Sequence, residues 1–110
     1  MANKLLHIGF YARESLPDPK ALKAVYDMAL DWIAYAPNCC IVFTSSEPDV
    51  WYHRLKPVLR DGDSFLIHEI YVVGEKIFTG YLPQFVWDWM KKYIGSAPKA
   101  IPAPNSDAMG

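Results

Sequence analysis

Residues 39–73 constrain the fold more than any other stretch of the chain. Two apolar runs, Cys39-Cys40-Ile41-Val42-Phe43 and Phe65-Leu66-Ile67-His68-Glu69-Ile70-Tyr71-Val72-Val73, bracket one amphipathic segment. The first run is rich in β-branched and aromatic residues, and the second is too continuous for a strand with one wet face, so both are expected deep in a sheet. Between them Ser46-Glu47-Pro48-Asp49 has the layout of a capping box, with Ser46 as cap and Asp49 answering it. Trp51, Leu55, Val58 and Leu59 then supply the apolar stripe of a helix. Pro57 has no amide to donate and crowds the carbonyl of His53, which predicts a kink there or a break followed by one more turn. Asp61-Gly62-Asp63 makes the turn into the following strand.

The flanking segments extend this pattern. Residues 5–11 alternate as a strand, with Leu6, Ile8 and Phe10 on one face and Leu5, His7, Gly9 and Tyr11 on the other. Asp18-Pro19 is a helix start, since a carboxylate caps free amides and proline at the first position loses nothing. Leu22, Val25, Tyr26, Ala29, Trp32 and Ile33 recur at helical spacing, but residues 32–36 also suit a strand that pairs with the Cys39 run through a turn at Pro37-Asn38. The hairpin is the preferred reading. Gly74-Glu75 suits a tight turn into a short last strand at residues 76–79, and Pro83 opens a third helix with Phe85, Val86, Trp89, Met90 and Tyr93 as its stripe. Lys91 and Lys92 with Gly95 form its stop signal. From Ser96 the chain is Pro, Ala and small polar residues, expected as a flexible tail, so residues 1–95 are read as one domain and 96–110 as the tail.

A chain of 110 residues can build one real core, burying roughly 65% of its unfolded surface. Its 52% hydrophobic and 15% aromatic content on 21% charged residues is apolar for a small monomer, which points to an obligate oligomer. A formal charge of -1 supplies no field for phosphate backbones, so any protein or nucleic-acid partner would be held by a local patch. The only cysteines, Cys39 and Cys40, are strand neighbours that point to opposite faces, which argues against a disulfide framework and for a reducing cytosol. The first residues have no signal-peptide layout and no run reaches membrane-spanning length, so a cytoplasmic protein with no membrane partner is expected.

Candidate chemistry is sparse. Arg13, Glu14 and Ser15 after the first strand and Thr44, Ser45 and Ser46 after the third are the candidate polar ligands for a phosphate or a partner. If those strands run parallel as neighbours, the two sets meet; loop solubility and capping are the preferred account of them. His7, His53, His68, Cys39 and Cys40 lack ligand-like spacing, so no zinc site is expected. Asp61-Gly62-Asp63 begins like a calcium loop, but its twelfth position is Val72 and not Glu. No nucleophile elbow, phosphate-binding glycine loop or zinc-protease helix is present. Glu69 is harder to bury than a neutral His68, which assigns Phe65, Ile67, Glu69 and Tyr71 to the face not covered by helices, beside Leu5, His7 and Tyr11. That face is expected to be covered, by a second protomer as a dimer face or by the third helix.

The order strand, helix, short strand, strand, helix, strand, with Trp32 and Tyr35 in the second strand, Ile41-Val42-Phe43-Thr44 in the third, and Leu55-Lys56-Pro57 before Asp61-Gly62-Asp63-Ser64-Phe65-Leu66-Ile67, resembles the SinR-like relatives of the small CRISPR-associated endoribonuclease family. The resemblance runs from the first strand to Val73. It implies an α+β, ferredoxin-like βαββαβ sandwich that forms homodimers, here with an added C-terminal short strand and helix. It also implies metal-dependent phosphodiester cleavage, with an Asp at the end of the first strand holding the ion. This chain departs at that position, where Ala12 stands and offers no oxygen to a hard cation.

The expectation is therefore a small homodimeric binding or scaffold protein with no catalytic residues and no cofactor. The alternatives are a metal-dependent ribonuclease that uses magnesium or manganese on Glu14 or Glu69, and a toxin-like or regulatory small protein.

Overall fold

The computed structural model describes residues 2–70 and 82–94. They belong to two compact units, 1–70 and 71–110. The expected single domain at 1–95 takes in residues of both. The short strand at 76–79, Tyr71, Gly95 and the tail from Ser96 lie outside the described residues.

The first unit is an α+β layer pair. Strand β1 (Lys4–Tyr11) leads to helix α1 (Pro19–Tyr26), strands β2 (Asp31–Ala36) and β3 (Cys39–Thr44), helix α2 (Pro48–Leu55), a 3-10 turn at Lys56–Val58, and strand β4 (Ser64–Ile70). The four strands form one sheet in the order β2-β3-β1-β4, every neighbour antiparallel. Leu6, Ile8 and Phe10 of β1, Cys40 and Val42 of β3, Leu22, Val25 and Tyr26 of α1, and Trp51, Leu55 and Leu59 from α2 onward form one buried cluster. Both helices thus cover the same face of the sheet.

Local chemistry explains most boundaries. The Asp18 carboxylate accepts the Lys20 amide and Pro19 opens α1, as the sequence indicates. The helix stops at Tyr26, and Asp27 then accepts both Lys23 Nζ at 2.7 Å and Trp32 Nε1 at 2.8 Å, fastening the helix end to the start of β2. Residues 32–36 are a strand of the expected hairpin, with a bulge between Ala34 and Ala36. Asn38 in its turn donates from Nδ2 to the Phe10 carbonyl at 3.2 Å, which holds the hairpin against β1. Pro57 ends α2 as anticipated, and the chain tightens into the 3-10 turn.

The capping box at the start of α2 does not form. Glu47 is the cap residue and makes no side-chain bond to the helix, while Asp49 accepts only the amide of the next residue, Val50. Ser46 is drawn back instead, its amide donating to Thr44 Oγ1 at 3.0 Å. Pro48 at the first helical position removes one free amide and so weakens the demand for a cap.

In the second unit, helix α3 (Gln84–Ile94) begins after Pro83, whose carbonyl accepts the Val86 amide. Val86, Trp89 and Met90 are its buried positions. Phe85, expected in that stripe, is 58% exposed. Gln84 Nε2 donates to Asp88 one turn on, and Trp89 and Tyr93 stack edge-on at 5.0 Å.

Candidate functional site

Residues paired directly across antiparallel strands share a face, and this rule settles the sheet. Leu6 pairs with Val42 and Glu69, Ile8 with Cys40 and Ile67, and Phe10 with Phe65. Phe65 and Ile67 accordingly pack against the helix-covered core. The assignment of Phe65, Ile67 and Glu69 to the open face is thereby corrected: they lie on the opposite face from Leu5, His7 and Tyr11. Glu69 is tolerated there because it sits near the strand end and is half exposed.

The face away from α1 and α2 carries Leu5, His7, Gly9 and Tyr11 from β1, Ile33 from β2, Cys39, Ile41 and Phe43 from β3, and Leu66, His68 and Ile70 from β4. Leu5 and Ile41 are buried, whereas Tyr11 and Leu66 are 63% and 68% exposed. His7 is the polar centre of this face. Its Nε2 shares a hydrogen bond with the Tyr35 hydroxyl, and its ring lies 5.2 Å from that of His68, its cross-strand partner, at an interplanar angle of 36°. Burial, and then the charge that His68 can carry, hold the His7 imidazole below its ordinary pKa. Tyr35 is pushed up to about 12, first by burial and then by the Cys39 thiol beside it. The chain of contacts therefore runs Cys39, Tyr35, His7, His68 across four strands. The strand order that joins these residues is not legible from their spacing; the visible signal is a set of polar side chains at alternate positions of apolar strands.

The two loop sets proposed as ligands do not come together. Strands β1 and β3 are neighbours but antiparallel, with Lys4 opposite Thr44, so Arg13, Glu14 and Ser15 lie at one end of the sheet and Thr44, Ser45 and Ser46 at the other. Each set has internal work. Thr44 is buried, and its Oγ1 accepts the Trp51 indole at 3.2 Å as well as the Ser46 amide. Lys4 and Glu47 form an ion pair beside it.

At the other end the Asp63 carboxylate accepts the Arg13 amide through one oxygen and the Arg60 amide through the other, both at 2.9 Å. These two amides hold the Asp63 carboxyl below the usual range. The Arg60 guanidinium binds Ser15 Oγ at 3.0 Å together with the Ser15 and Leu16 carbonyls. Glu14 is exposed in this loop.

The position where the family resemblance asks for a metal-binding Asp is occupied by the Ala12 methyl, which packs against the core. Asp63 is the carboxylate that comes near, and both of its oxygens are engaged by backbone amides. Ala12 thus gives a hard cation no oxygen ligand at this position. Among the described residues, no group of three or more His, Cys, Asp or Glu side chains converges as a metal cage, and no helix is long and apolar enough to cross a membrane. Comparison of the chain with family models, with curated proteins and with solved structures finds no match.

Proposed function

We propose that this protein is a ferredoxin-like binding protein that works as a homodimer and performs no catalysis of its own. The observation that carries the reading is the pair Tyr11 and Leu66, large apolar side chains left exposed on the sheet face opposite α1 and α2. Leu66 pairs with Gly9, and Tyr11 is the next residue on that face of β1, so the two form one patch of the kind that marks an interaction surface. The strand order β2-β3-β1-β4, with α1 and α2 as the connections on one face, supports the ferredoxin-like assignment. The Ala12 methyl and the engaged Asp63 oxygens argue for binding over phosphodiester cleavage.

Light scattering on the full chain at tens of micromolar tests the reading. A mass twice the 12.5 kDa of one chain, falling to the monomer in Leu66→Glu, is the expected result. A monomeric wild type removes the dimer. A parallel assay on single-stranded RNA with magnesium or manganese is expected to show no cleavage. Cleavage abolished by Glu14→Ala would put the metal-dependent ribonuclease in its place.

A further inference from the structure

We infer that His7 and His68 form a two-imidazole site for one divalent transition-metal ion of the zinc, nickel or copper class on the sheet face opposite α1 and α2. The site is made within one protomer and does not rest on the dimer. His7 and His68 are direct cross-strand partners on β1 and β4, so the sheet itself fixes their spacing. Their ring centroids are 5.2 Å apart. Two imidazoles on one tetrahedral ion, at metal–nitrogen distances of about 2.0–2.1 Å, hold their centroids roughly 5 Å apart, so the observed separation suits shared coordination.

The surroundings of His7 match what a metal-ligating histidine requires. A ligating imidazole gives its second nitrogen to a hydrogen-bond partner that fixes its tautomer and orientation. Here His7 Nε2 is engaged by the Tyr35 hydroxyl, and this leaves Nδ1 as the ligand atom. Gly9, two residues on and on the same face, brings no side chain beside the ring; among the described residues, a Cβ there would meet His7 Cε1, at 3.6 Å. His68 is exposed, so the ion has a route to the pair and water can complete its coordination. Nitrogen donors without a carboxylate select this class of ion over magnesium or calcium.

Calorimetric titration of the tag-free, chelator-stripped full chain with zinc(II) and with nickel(II) tests the site, with the imidazole carbon-bound proton signals followed by NMR. One ion per chain is expected, with the His7 and His68 signals shifting together. His68→Ala, at an exposed position, should weaken binding more than tenfold, while His53→Ala, on α2, should leave it within twofold. The proposal is overturned if neither ion saturates, if His68→Ala binds as tightly as the wild type, or if Cys39→Ser abolishes binding that His68→Ala retains. Circular dichroism of each variant separates loss of the site from loss of the fold.

Discussion

Gly62 and Asp63 show how much of one loop rests on two residues. Gly62 has φ of 92°, a left-handed conformation, and a Cβ built there would lie 3.0 Å from Arg13 Cδ and 3.2 Å from its Nη1. Gly62→Ala should therefore destabilise the protein by about 1–2 kcal/mol, measured by urea denaturation. Asp63 makes a pH prediction. Its folded pKa lies below the unfolded value near 3.9, so its contribution is complete above that value and is lost as pH falls through the folded pKa. Asp63→Asn should flatten the acid limb of the stability curve below about pH 4 and leave its shape near neutrality unchanged. A variant with the same acid slope as the wild type would mean that the two amide bonds do not set the shift. The adjacent thiols differ for a similar local reason. Burial pushes the Cys40 thiol far up and removes it from solvent, while Cys39 is half exposed on the other face. Iodoacetamide should label Cys39 in the native protein and Cys40 only on unfolding, as mass spectrometry of the labelled peptides would show.

At the scale of elements, α1 and α2 start by different means. The first uses Asp18 as a side-chain cap together with Pro19, and the second relies on Pro48 with no side-chain cap. Asp18→Ala should cost about 1 kcal/mol in denaturant titrations, whereas Ser46→Ala, at the position the sequence marks as a cap, should cost much less. Equal losses in the two variants would restore Ser46 to the capping role. The β2–β3 hairpin is held from outside as well as by its own turn, through Asp27 to the Trp32 indole and Asn38 to the Phe10 carbonyl. These links explain why residues 32–36 are a strand although Trp32 and Ile33 continue the helical spacing of Leu22, Val25 and Ala29: Asp27 ends the helix and anchors the next element within one turn of chain.

At the scale of the molecule, the two faces of the sheet differ in what they bury. Ile8 is fully buried between the sheet and both helices, so Ile8→Ala should cost about 2–5 kcal/mol. Leu66, on the other face and 68% exposed, should lose well under 1 kcal/mol of protomer stability as Leu66→Ala, with any larger effect appearing in the mass of the proposed dimer. Comparable losses at the two positions would mean that Leu66 is covered within the protomer.

Much of this architecture is legible in the sequence because it is encoded locally. The Asp18-Pro19 start, the break at Pro57, the Pro37-Asn38 turn and the alternation of Leu6, Ile8 and Phe10 each follow from the backbone chemistry of a few neighbouring residues. The faces of β4 do not. Phe65, Ile67 and Glu69 alternate with Leu66, His68 and Ile70, and each set carries two apolar residues and one ionisable one, so the pattern is nearly symmetric under a one-residue change of face. Pairing with β1 decided it, by setting Ile67 against Ile8 over the helices and His68 against His7 on the other side. The antiparallel order likewise sent the two polar loops to opposite ends of the sheet and assembled Cys39, Tyr35, His7 and His68 on one face. Local propensity has no access to either result, because register and strand order are properties of chains meeting at long range.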